Sequence, residues 1–479
     1  MASLPAADRP HARTRRWDAV VLGGALPGLV AAVVLGQRGA RVLVLEEEAA
    51  ARGFPGLREP FLLPSSERDS VLGACLRALG IPLIDQRRVQ LDPVALQVVL
   101  PEARIDVGDP GLTASEWVAW GLAKPQPARA LARALAAAAD AERRALLAAP
   151  FVRSSRRLGL GSLRGMPTRR AIAPAAIEPV PVGVRGLPAE LADLPPVLAA
   201  VLAAQTRTLA RLGAAEPSPE ARARLLGAPL EGGASVRGAP WLREILRQRV
   251  GSLYGEFRTL AGPFSVVSTS GQQPGVVQPN SEEALTGRVL ILNAPLAALA
   301  RASEQPQLAG LQREASHARR RLQLHFRLPR HAVPEAMAPR VLRIADPAAP
   351  LEGANLIALR LFSAGGESDQ VDLVASAVVP WDAPDPAALE REISAGVATL
   401  LPFAEATLRP QRAPEVRWDS DEWLGDPAPG TGWPAPIEVR AAGRLPIYGL
   451  DRTACASLGV EGDLLLGWRT AEAILADLS

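Results

Sequence analysis

The sequence predicts an α/β protein: a Rossmann-like domain on a parallel sheet, carrying a GxGxxG-type βαβ unit, joined to an α+β domain with an antiparallel sheet. Three observations predict it. Residues 18–48 ("DAVVLGGALPGLVAAVVLGQRGARVLVLEEE") run strand, glycine turn, apolar helix, strand and acidic end. Residues 320–328 ("RRLQLHFRL") alternate, with Leu322, Leu324 and Phe326 on one face and Arg321, Gln323, His325 and Arg327 on the other. The chain has 479 residues, 48% hydrophobic and 22% charged, which is too long for one simple core and too apolar for disorder.

Each part of the first unit has a physical reason. Val20–Leu22 is a continuous apolar run, as a parallel strand covered on both faces requires. Gly23 and Gly24 supply a tight turn. Pro27 falls in the first helical turn, where its missing N–H costs nothing. Gly28 lets helix and strand approach, and Gly39 suits a left-handed helix cap. The second strand ends at Glu46, 23 residues after Gly23, where a carboxylate accepts hydrogen bonds from ribose hydroxyls. The helix start offers free N–H groups to a pyrophosphate. One position departs from the fingerprint. Ala25 stands where the second glycine lets the backbone approach the phosphates, so its methyl is either accommodated or pushes the ligand away.

Composition narrows the function. Lys+Arg 53 against Asp+Glu 50 gives a net charge of only +3, so nothing argues for nucleic acid. Lys124 is the sole lysine, so the basic residues are otherwise arginine and each one carries less information. Cys75 and Cys455 lie far apart, which argues against a disulfide framework and for a reducing compartment. His11, His317, His325 and His331 lack ligand spacing, so no metal site is expected. Arg15 and Arg16 before an apolar run resemble an export signal, but Asp18 and the glycines interrupt it. The expectation is a cytoplasmic protein. An Arg-rich stretch at 153–165 leaves a peripheral contact with the inner face of the membrane as an option, against the simpler reading of a solvated loop.

The order of segments resembles the phytoene desaturase-like branch of the FAD-dependent amine oxidase superfamily. The likeness rests on the βαβ unit, on "EPFLLPSSERDSVLGACLRALGI" (an extended entry, then a helix) and on "RRVQLDPVALQVVLPEARIDV" (a hairpin-like pair of strands). It rests equally on the C-terminal "LPIYGLDRTACASLGVEGDLLLGWRTAEAILADL". The resemblance implies FAD as cofactor. It places Gly23, Gly24, Ala25, Pro27, Gly28, Glu46, Glu47, Arg52, Gly53, Phe264, Asn293, Gly449, Asp451, Glu461, Gly462 and Asp463 along it, with adenine near Phe264. The family's glycine pair after the acidic strand end is here "ARGFPG", with Arg52 and Gly53 in its place. Amine oxidases proper often place a lysine by the flavin; here the sole lysine, Lys124, lies in a helical region, so the resemblance implies that amine oxidation of that kind is disfavoured.

The implied layout interleaves two domains. Residues 15–100, 226–300 and 441–479 would form the FAD-binding domain, 101–225 a mainly helical lid, and 301–440 the substrate-domain sheet and helices. The resemblance implies hydride movement between flavin and an apolar polyene or lipid-like substrate. No catalytic residue is assigned; Glu461 and His325 are the candidates. Two rivals stand beside this. One is a degenerate, non-catalytic relative, suggested by Ala25 and the missing glycine pair. The other is a flavin oxidase or isomerase acting on a polar substrate, which a strongly charged cavity would favour.

Overall fold

A computed structural model describes residues 13–478, apart from 65–68, 149–151, 155–185, 237–241, 269–272, 280, 282, 307, 309–318, 364–368, 384, 405–407, 412–413, 422, 428–436 and 442–444. β1 (Arg13–Leu22), α1 (Leu26–Gln37) and β2 (Val42–Glu47) form the expected βαβ unit. β1 and β2 pair in parallel, Ala19 opposite Val42 through Leu22 opposite Leu45. Arg15 and Arg16 lie within β1, in register with Leu285 and Thr286.

β1 and β2 are the centre of a larger sheet. Glu283–Leu292 and then Ile447–Gly449 add in parallel beyond β1, and Glu256–Leu260 adds in parallel beyond β2. Three distant parts of the chain therefore build one sheet. Its apolar strands are covered on both faces, as parallel strands must be. On one face α1 packs against the last helix, Gly459–Leu478. Gly467 permits this, since a Cβ there would lie 2.2 Å from the Pro27 carbonyl oxygen.

A second, six-stranded sheet runs in the order Arg319–Pro329, Gln370–Pro380, Leu356–Ser363, Arg340–Ile344, Val94–Val99, Arg104–Gly108. Every neighbour is antiparallel except Arg340–Ile344 with Val94–Val99. The predicted alternation in 320–328 is real: Leu322, Leu324 and Phe326 enter the core under Pro386–Ala398. Residues 89–108 form three strands rather than a hairpin pair, because Val89–Asp92 turns away to join a small separate sheet with Gly233–Val236. The helices Pro110–Ala119, Pro125–Ala148, Pro196–Leu209 and Pro219–Gly227 pack as a layer on the second sheet. Most of the Arg-rich 153–165 stretch lies outside the described residues. Among the described residues no helix is long and apolar enough to cross a membrane, and no group of three His, Cys, Asp or Glu could hold a metal ion.

Candidate functional site

The cradle at the start of α1 is assembled as the sequence suggests. Gly23 has φ +116, and a Cβ there would lie 2.4 Å from the Asn293 carbonyl oxygen. Gly28 leaves room for the Asn293 side chain, whose Nδ2 donates to the carbonyl oxygens of Gly23 at 2.8 Å and Ala25 at 2.9 Å. Ala25 is the N-cap residue of α1 and has no side-chain oxygen to close the helix end, with Pro27 in the first turn. Free N–H groups at such an end attract an anion.

The anion that answers belongs to the chain itself. The Gly24 N–H donates to both carboxylate oxygens of Asp419, at 3.0 and 3.1 Å, and the Glu47 N–H donates at 3.3 Å. Arg58 grips the same carboxylate at 2.7 Å and turns its Nε to Asp421 at 2.8 Å. Arg452 ties Asp421 to Asp463, and Arg211 also reaches Asp463 at 2.8 Å. The Glu47 carboxylate in turn accepts from the N–H groups of Arg417, Trp418 and Asp419. Residues 417–421 are thereby clamped across the glycine turn. The Trp418 ring, 2% exposed, meets Phe264 edge-on at 5.2 Å, where the resemblance places adenine.

Electrostatics follow the pairing. Burial pushes the Asp419 carboxyl up, against the pull of Arg58. The Asp421 carboxyl is buried too, but Arg58 and Arg452 flank it and hold it well below the usual carboxylate range. Despite burial, Asp419 and Asp421 keep Arg58 firmly protonated.

The remaining expected residues divide. Glu46 is buried at the end of β2, and its carboxylate pairs with Arg243 at 3.3 Å and with Arg247. Leu242–Ser252 delivers both arginines to the end of β2. Arg52 points away from the cradle, exposed and paired with Glu48 at 2.5 Å; Arg58, six residues on, takes the inward position. Gly53 lines an outer groove beside the 414–421 segment. Gly449 ends its strand opposite Leu292, and Asp451 turns onto the Thr453 N–H at 3.1 Å. Gly462 approaches the Cys455 carbonyl, where a Cβ would lie 2.5 Å away.

Neither catalytic candidate faces a cavity in a free state. Glu461 is locked by the Arg224 guanidinium at 2.7 Å, and Arg224 is shared with Glu231. His325 stacks on Phe54 at 4.1 Å, and its Nε2 meets Asp372 at 2.7 Å. Strand alternation put His325 on the right face, but Phe54 covers it.

A cavity of about 70 Å³ opens beside the cradle, between the second sheet and the start of the last helix. That is several times the room one water needs. Its lining is not apolar throughout. Arg58, Arg211, Arg224, Arg321 and Arg360 line it, with Glu59, Gln323, Ser376, Asp421 and Glu461. The Glu59 carboxyl is pushed up by burial, and its Oε1 accepts from the Arg243 N–H at 3.1 Å.

Sequence reasoning missed Trp418, Asp419, Asp421, Arg58, Glu59 and Arg360. One signal was available. In a chain with 4% aromatics, "RWDSDEW" at 417–423 holds two tryptophans and three acids in seven residues.

With this geometry in hand, comparison with solved structures is informative about the fold. A cofactor-binding redesign of putrescine oxidase, a triple mutant, aligns over 97% of this chain and 100% of its own at 14% identity and a TM-score of 0.51. An oxidoreductase from Methanosarcina mazei aligns over 96% of this chain and 100% of its own at 14% identity and a TM-score of 0.50. The chain shares the fold of these two proteins. No family model matches the sequence, and no curated protein does.

Proposed function

We propose that the protein is an FAD-dependent oxidoreductase of the amine oxidase type, working on a polar substrate, in which FAD and residues 417–421 compete for one cradle. The carrying observation is the Asp419 carboxylate on the Gly24 N–H. It supports a cradle that still has its donors and its field, since an isolated carboxylate would not be buried there without them. In this reading FAD takes the place of the segment, which leaves when the cofactor binds.

With the segment out, the Gly24 and Glu47 N–H groups and Arg58 are the groups that would meet the pyrophosphate, and the Phe264 face would meet the base. Bound FAD would supply hydride transfer. The chain's own contribution would be to exclude water, to orient the substrate on the sheet face carrying Gln323 and Ser376, and to offer Glu59 as a proton carrier. Its raised pKa suits that role. The arginine-lined cavity supports a polar substrate over a polyene, the criterion set by the sequence.

A second reading is favoured by the same segment. With Trp418 buried and Asp419 saturated, the fold could serve as a binding module whose cradle is closed by its own chain. One experiment separates the readings: FAD titration of the wild type and of Trp418→Ala/Asp419→Ala, followed by gel filtration and visible absorption. The oxidoreductase reading expects stoichiometric flavin on the variant and slower, weaker uptake by the wild type. Two colourless proteins, both folded by circular dichroism, would leave the binding-module reading standing alone.

A further inference from the structure

We propose that the cavity under the second sheet is a binding site for a small carboxylate with a short apolar tail, held by the guanidinium groups of Arg321 and Arg360. The proposal names the substrate class of the site described above, and it rests on that reading only for the ligand being turned over.

The argument is one of pairing. The other arginines on this wall each have a carboxylate: Arg58 has Asp419 and Asp421, Arg211 has Asp463, and Arg224 has Glu231 and Glu461. Arg321 has only carbonyl oxygens, and Arg360 has one carbonyl oxygen and the face of the Phe362 ring, 5.5 Å away. Arg321 Nη2 donates to Thr208 and Ala210 at 3.1 and 3.2 Å, and Arg360 Nη1 donates to the Glu59 carbonyl. Arg360 is 4% exposed, and its Nε is buried with no hydrogen-bond partner. The Glu59 carboxylate, which also accepts from the Arg243 N–H, offsets part of the burial of Arg360, whereas only positive neighbours act on Arg321.

A buried cation without a counter-ion is costly, and an entering anion relieves that cost. Burial, reinforced by Arg211, Arg360 and Arg207, pushes Arg321 down to about 9, and burial pushes Arg360 down to about 10. Both guanidiniums remain charged at neutral pH, so both disfavour the empty state there.

The sheet sets the geometry. Gln323 lies opposite Ser376, two residues along from Arg321, and Arg360 lies on the next strand over, opposite Val374. These side chains share one face. A guanidinium fork matches a carboxylate bidentately. The remaining wall, with Phe61, Leu62, Leu209, Leu225 and Val460, is apolar and suits a short hydrocarbon tail. A cationic amine would meet two guanidiniums, Arg321 without any acid beside it, and would be disfavoured at this wall.

The test uses full-length, flavin-free protein at constant ionic strength, with calorimetry and thermal melting against butyrate, butylamine and inorganic phosphate. Butyrate is expected to bind and to raise Tm with concentration, while butylamine does neither. Arg321→Met should lose at least tenfold in butyrate affinity and, without ligand, should melt no lower than wild type, because the charge it removes has no ion pair. Arg360→Lys keeps the charge and loses the fork, so it should weaken butyrate by a similar factor; Arg321→Lys replaces Arg321→Met if the latter misfolds. No butyrate binding, or equal binding by the variants, overturns the proposal. Phosphate binding tighter than butyrate overturns the carboxylate class. A protein that binds butyrate but never takes up FAD keeps this site and loses only the oxidoreductase reading.

Discussion

The cradle and the cavity lie side by side, share Arg58 and Asp421, and treat charge in opposite ways. In the cradle every guanidinium that points inward meets a carboxylate from the same chain. In the cavity Arg321 meets only carbonyls, and Arg360 a carbonyl and the Phe362 ring. Both regions are basic by residue type, so composition alone cannot tell them apart. The difference lies in who supplies the anion. A saturated network marks a place where the chain has become its own ligand, and an unsaturated one marks a place that still expects a ligand from outside.

That contrast can be broken most severely at Trp418. Trp418→Ala removes a fully buried indole from the core around Phe264, Val20 and Leu22 and should cost about 3–5 kcal/mol, read as a lowered midpoint in denaturant unfolding. An unchanged midpoint would mean that the segment is not seated in the cradle at all. Next in size is Glu461→Gln, which leaves Arg224 with Glu231 alone. Breaking a buried pair of this kind costs about 3 kcal/mol, and a loss of that order without any specific catalytic signature would mark Glu461 as structural.

A smaller effect sharpens the comparison through pH. The Asp421 pKa is depressed in the folded protein, so its stabilisation is fully present above the ordinary aspartate range and is lost as pH falls through the folded value. The stability gap between wild type and Asp421→Asn should therefore be wide at neutral pH and should close below about pH 4, near the unpaired aspartate value. A gap that ignores pH would detach Asp421 from the network. The smallest expected signal is at Cys75, whose thiol is pushed up by burial to about 12. Native protein at pH 8 should leave Cys75 unmodified by a thiol reagent, and modification on the time scale of mixing would show that the core around α1 opens easily.

Much of the fold could be read without the structure, for local reasons. The apolar run Val20–Leu22, a glycine turn and Pro27 leave the chain from Asp18 to Glu47 few alternatives. The alternation from Arg319 to Pro329 fixes which side chains face the core, because the strand period is two. The same reasoning found Asn293 at the end of its strand, though its role, bracing the glycine turn, depends on a side chain that fills the space left by Gly28.

The fate of the cradle was decided elsewhere. Glu46 reads as a ribose ligand from its place at the strand end; its pairing with Arg243 and Arg247, 197 and 201 residues on, has no local signal. Arg52 and Arg58 are both plausible by position; only the backbone path between them determines that Arg58 turns inward. Asp419 lies 395 residues from Gly24, and no local pattern links a carboxylate to a backbone N–H at that separation. The sequence by itself determined that an anion would be welcome at the start of α1, because free N–H groups at a helix end are a local property. Only the tertiary structure decided that Asp419 sits there, because the groups that hold it, the Gly24 and Glu47 N–H and Arg58, come from parts of the chain far from it.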